Sequence, residues 1–225
     1  MEKQSGKVGT IETWLKKHTL VYTAATRHPF IHRIRDGTVD PSSIKRWLGQ
    51  DYGFVRVFVP FVANVLVKAW KESDDGSDME VILGGMAYLN DELAWCKEEA
   101  LKWEVSLSDT VRHSVNLRHC RFLESLMSQE IDYTVAITAF WAIEAVYHES
   151  FAHCLEEDSK TPDELKGTCE RWGSDAFGQY CHSLREIVDR RLEKAPADVV
   201  SKAEVILLHV LEHEVEFWNI SRGKA

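Results

Sequence analysis

Apolar side chains in this chain recur every three to four residues almost from end to end, which is the period of an α-helix. No convincing apolar/polar alternation marks a strand, so the pattern predicts an all-α fold. Helices are expected at about 10–26, 41–71, 77–103, 108–130, 132–156, 162–192 and 197–222. The punctuation agrees. Asp40-Pro41 offers an N-cap followed by proline at the first helical position. Thr161-Pro162-Asp163-Glu164 does the same and adds a Thr-x-x-Glu capping box. Asp74-Asp75-Gly76-Ser77 and Ala195-Pro196 read as connections. Pro60 is expected to kink the 41–71 helix, and Gly173 with Gly178 to bend or split the 162–192 helix.

A chain of 225 residues, 44% hydrophobic, buries one large core, and the expectation is a single helical domain over 1–225 with 1–9 flexible. The net charge of −9 argues against nucleic-acid and anionic-membrane partners. The N-terminus has no apolar signal region, and the longest nearly apolar run, Phe58 to Val67, is too short to cross a bilayer. Five cysteines without C-x-x-C spacing fit reduced thiols better than disulfides or a zinc site. A cytoplasmic protein with no membrane partner and no cofactor is expected.

Three acids break this pattern. In "IKRWLGQDYGFVRVFVPFV" the ladder Ile44, Trp47, Leu48, Phe54, Val55, Phe58 has one gap, filled by Asp51. Glu144 fills the gap between Phe140-Trp141 and Tyr147-His148, and Glu214 the gap between Val210 and Phe217. Helical spacing therefore turns carboxylates inward on three separate helices. Acids are seldom buried without a partner, because leaving water costs a charge several kcal/mol or more. Two explanations stand side by side: structural salt bridges to some of the 27 Lys and Arg residues, or a polar cavity suited to general acid–base work. Tyr52 and Phe54 beside Asp51, with Trp141, Tyr147 and Trp172 near the Glu144 face and the Gly173 bend, would give such a cavity aromatic walls fitting a flat heteroaromatic molecule. A di-metal carboxylate site is the rival, but paired Glu-x-x-His motifs are absent, so no metal is expected.

The segment "RHPFIHRIRDGTVDPSSIKRWLGQDYGFVRVF", followed by "FWAIEAVYHESFAHC", "RWGSDAF" and "EHEVEFW", resembles the TenA family of thiamin-salvage proteins. The likeness spans nearly the whole chain and is similar to plant-type members, some labelled seed maturation proteins. It implies a heme-oxygenase-like helical bundle without heme, and homo-oligomers, dimer or tetramer. It also implies a pocket for 4-amino-2-methylpyrimidines. Members hydrolyse the aminomethyl pyrimidine to hydroxymethylpyrimidine, and plant-type members also act on the N-formyl derivative. By this resemblance Asp51 would hold the aminopyrimidine edge, Glu214 would serve as acid–base carboxylate, and Phe54 and Trp172 would contact the ring. The family's nucleophilic cysteine would fall near Phe140, where this chain has none. The resemblance is thus to a cysteine-less subgroup, with Glu144, one turn later, as the candidate replacement. The alternatives are a pyrimidine binder without turnover, a di-metal oxidase, or a structural protein whose pocket salt bridges close.

Overall fold

A computed structural model describes residues 9–72 and 76–223. The described residues are helical with no strand: α1 (Thr10–Lys17), α2 (Thr19–Thr26), α3 (Pro29–Arg35), α4 (Pro41–Glu72), α5 (Ser77–Lys102), α6 (Ser114–Leu126), α7 (Tyr133–His153), α8 (Asp163–Gly173), α9 (Asp175–Lys194), α10 (Ala197–Asn219) and a closing 3-10 turn, Ile220–Arg222. The expectations for Asp74 and Asp75, and for flexibility over 1–8, lie outside the described residues.

Four boundaries depart from the sequence reading. The segment 10–26 is two helices, broken at His18, whose ring reaches 2.7 Å to Glu204 on α10. The apolar spacing runs through that break unaltered and so conceals it. The seven-residue α3 lies in a stretch read as irregular; Pro29 opens it, and the His28 ring accepts from Phe30 N. The helix expected from 108 begins at Ser114, because Gln50 holds the preceding loop by bonds to Val111 O and His113 N, both 2.9 Å. Thr161 does not cap α8: its hydroxyl donates to Cys154 O at 2.7 Å and ties down the end of α7 instead.

Other expectations hold. Asp40 accepts from Ser42 N at 2.7 Å ahead of α4. The 162–192 segment splits after Gly173, where a Cβ would lie 2.6 Å from Phe151 C and Ala152 N; only glycine lets α8 approach the α7 backbone this closely. Ser174 then caps α9. Helix α4 runs past Pro60, which is exposed. By length and hydropathy α4 alone would pass for a bilayer-spanning helix. It lies here against α5, α6 and α7, with Trp47, Phe54, Phe58 and Phe61 buried.

Helix α7 is the axis of the bundle. Every residue from Tyr133 to Tyr147 is buried, and α4, α8, α9 and α10 pack around it. A helix apolar on all sides belongs inside its protein, and each large side chain buried there contributes about 1.5–3 kcal/mol. All five cysteines are buried free thiols.

Candidate active site

Asp51 is fully buried, Glu214 is 1% exposed, and Glu144 is 7% exposed. The structure brings these three acids into one neighbourhood and adds a fourth, Glu92 of α5, which is 9% exposed. One acid comes from each of α4, α5, α7 and α10. Glu92 was legible by the same rule as the others. The buried ladder of α5 runs Ile82, Gly85, Leu89, Glu92, Cys96, Ala100, with the acid in an apolar register. Gly85 in the ladder and the exposed Asp91 beside Glu92 weaken that pattern to the eye.

Among the described residues no Lys or Arg stands within salt-bridge distance of these carboxylates. The one basic side chain that close is His119, whose Nε2 lies 3.7 Å from Glu214 Oε1. Burial, helped by His213, drives His119 well below its ordinary value, and burial drives Glu214 well above its own, so this is a contact of two neutral groups rather than an ion pair. Its length also exceeds a good hydrogen bond. The salt-bridge explanation for the inward acids therefore fails.

Without cations, the acids are held up by burial and by one another. Burial pushes Asp51 up to about 7, against a hydrogen bond from Tyr147 and the distant Arg171. Glu92 rises to about 8 through burial and then Asp51, with Arg171 and Trp172 opposing. Glu144 is raised by burial, then by Glu92 and Glu214. Such a cluster keeps protons at neutral pH, so it holds both acids and bases at once.

The hydrogen-bond geometry leaves capacity open. Tyr147 Oη donates to Asp51 Oδ1 at 2.6 Å, while Asp51 Oδ2 is buried with no partner among the described residues. One turn earlier on the same face, the Trp47 indole N–H is also unpartnered, as are both Glu214 oxygens, both His119 ring nitrogens and the Tyr180 hydroxyl. Buried polar atoms are normally satisfied, so this concentration of open donors and acceptors suits a polar ligand.

Aromatic walls enclose it. Trp172 meets Trp47 (6.0 Å) and Tyr147 (5.4 Å) edge-on and stacks on Phe151 (5.0 Å). Phe54 lies against His119 (4.6 Å) and Phe217 (5.7 Å), and Phe140 meets Phe58 edge-on. Trp141 is buried but stands outside these ring contacts. Tyr52 is half-buried and, one residue along from Asp51, is turned about 100° away on the helix. Of the residues expected from sequence, Asp51, Phe54, Glu144, Tyr147, Trp172 and Glu214 thus gather, while Tyr52 is turned away and Trp141 is buried on α7 one turn before Glu144. Sequence reading missed Glu92, Trp47, His119 and Tyr180. A surface cavity of about 400 Å³ between α5, α8 and α9 has Glu92 and Trp172 in its lining, with Tyr88, Trp95, Arg171 and Phe177. Among the described residues no group of three or more His, Cys, Asp or Glu is arranged to hold a metal ion.

Residues 15–224 match the model of the TENA/THI-4/PQQC family. A soybean (Glycine max) protein named a probable bifunctional TENA-E protein is 66% identical over 217 residues, covering 96% of this chain and 95% of that one. Among solved structures, a TenA homologue from Pyrococcus furiosus superposes with a TM-score of 0.86 at 22% identity, covering 94% of this chain and 98% of that chain. A TenA-like protein of Sulfolobus solfataricus, described as a putative thiaminase, gives 0.73 at 17% identity, covering 96% and 97%.

Proposed function

Because the chain belongs to the TENA/THI-4/PQQC family and has its heme-oxygenase-like helical fold, we propose that the buried acids form the active site of a thiamin-salvage hydrolase. Its substrates are 4-amino-5-aminomethyl-2-methylpyrimidine and the N-formyl derivative of that amine. The observation that carries this reading is the set of four buried carboxylates without a cationic partner. A merely structural cluster would have been neutralised by Lys or Arg.

In this scheme Asp51 takes the pyrimidine edge. Tyr147 fixes Oδ1, and Oδ2 is free for the ring. Near its raised pKa the carboxyl is available in both forms, donating its proton to a ring nitrogen or accepting from a protonated one, while it accepts from the 4-amino group. Trp172 and Phe54 supply ring faces. The cavity above Glu92 is the route in.

Glu144 and Glu214 divide the proton transfers. One, ionised, takes a proton from water as the water oxygen bonds to the methylene carbon; the other, protonated, gives its proton to the nitrogen as the C–N bond breaks. The products are hydroxymethylpyrimidine and ammonia. With the formylated substrate, water attacks the formyl carbon, and the same pair yields the aminomethyl pyrimidine and formate. No thiolate is needed, consistent with Phe140 at the position where the family's nucleophile would fall.

The test is ammonia and formate release by wild-type, Glu144→Gln and Glu214→Gln proteins. Each substitution is expected to lower turnover by at least about 10²-fold, the scale of one general acid or base, with the helical signal retained. Folded variants that turn over at the wild-type rate would remove both residues from the mechanism. A wild-type protein that binds hydroxymethylpyrimidine yet releases neither product would be a pyrimidine binder instead.

A further inference from the structure

Tyr180 belongs to α9, outside the four acid-bearing helices, yet its hydroxyl lies against α5 and its ring reaches α7. A Cβ built on Gly85 would lie 1.9 Å from the Tyr180 hydroxyl oxygen and 2.7 Å from Cζ. The phenol therefore fills space on α5 that any side chain at position 85 would claim. Gly85 shares the buried face of α5 with Leu89 and Glu92. The ring packs against Tyr88 (5.9 Å), Phe177 (5.7 Å) and Phe140 (6.5 Å), the last being one turn before Glu144 on α7. Glu144 is the first charged group to act on the phenol, and with burial it keeps the hydroxyl protonated.

Among the described residues this buried hydroxyl has no hydrogen-bond partner. A group that only packed would be better served by phenylalanine, the residue at its neighbours 140 and 177, since burying an unsatisfied hydroxyl is unfavourable. The other phenol near Glu144, Tyr147 one turn along α7, is committed to Asp51, so the Tyr180 O–H is a free phenolic donor for a carbonyl oxygen brought in by a ligand. On the hydrolase reading above, we propose that Tyr180 is a catalytic residue for the formylated substrate, donating its hydrogen bond to the formyl oxygen.

Water oxygen bonds to the formyl carbon, the carbonyl π pair moves onto oxygen, and the Tyr180 O–H supports that negative charge without transferring its proton. Collapse of the tetrahedral species re-forms the C=O bond and breaks C–N, with the nitrogen protonated by the acidic glutamate. Deamination of the aminomethyl substrate passes through no such oxyanion. The two reactions should therefore depend unequally on one hydroxyl.

The experiment measures kcat and KM for both reactions, and Tm, in wild-type, Y180F and G85A proteins. In Y180F, kcat for formate release is expected to fall on the order of 10²-fold with KM little changed, as for loss of one oxyanion donor. Ammonia release should fall far less, and Tm should hold or rise. G85A, which displaces the hydroxyl, should repeat the kinetic pattern; if it fails to fold, Y180F decides alone. Equal losses in both reactions with a lowered Tm would make Tyr180 structural and overturn the proposal, as would formate release at the wild-type rate. Wild-type silence in both reactions is a different failure, overturning the hydrolase reading and this role with it.

Discussion

Asp51 shows what one buried acid does to a protein's response to pH. Unfolded, it ionises near 3.8; folded, near 7. Between those values the unfolded chain binds fewer protons than the folded one, so stability falls as pH rises. Glu92, reaching about 8, extends the same slope. The buried His28 and His119 and the half-buried His148 and His213 have lowered values and act oppositely, weakening the fold only as pH drops below about 6.5. The carboxyls are therefore read cleanly from about pH 6.5 to 8. Urea midpoints should fall over that window, by at most about 1.4 kcal/mol per unit for each acid, and the fall should be shallower in Asp51→Asn. A midpoint flat from 6.5 to 8 in the wild type would mean these acids are ionised throughout. Asp51, Glu144 and Glu214 were visible in sequence because each interrupts a strong apolar ladder. Tyr180 carried no such signal. What distinguishes it is a missing Cβ at Gly85 on another helix, and one-dimensional spacing holds no record of which glycine faces which ring.

At the level of the helix, Gly173 fixes how α8 meets α7 and hence where Trp172 stands. Gly173→Ala would set a methyl 2.6–2.8 Å from Phe151 C, Phe151 O and Ala152 N, which are backbone atoms that cannot swing aside. Overpacking of this kind should cost about 2–3 kcal/mol in urea unfolding and shift the fluorescence of the tryptophan cluster. A variant as stable as wild type would show that the two helices can part without loss. That break was legible as a glycine in a helical run. The break at His18 was not, since what ends α1 there is accompanied by a contact to Glu204 far along the chain. Thr161 failed for a related reason: its local capping signature lost to a better acceptor, Cys154 O, supplied by the end of another helix.

Over the whole molecule, periodicity announced the all-helical class and turned acids inward on α4, α7 and α10. It did not decide between one shared interior and separate salt bridges, nor add Glu92 of α5. That convergence depends on which helices are neighbours, and helical phase alone does not rank neighbours. A ligand spanning all four should tie the bundle together. Hydroxymethylpyrimidine at a hundred times its Kd is expected to add about 2.7 kcal/mol and to raise Tm by roughly 5–10 °C, with the gain lost in Asp51→Asn. An unchanged Tm at high ligand concentration would mean that the folded protein does not bind this pyrimidine. The absence of Lys and Arg from the acid cluster has a consequence of its own. On the proposed function the interior would behave as a miniature cation-exchange bed: its charge is set by how many protons it holds, and an ammonium-bearing substrate would enter by trading places with one of them. Binding and proton release into the buffer are then two sides of a single exchange.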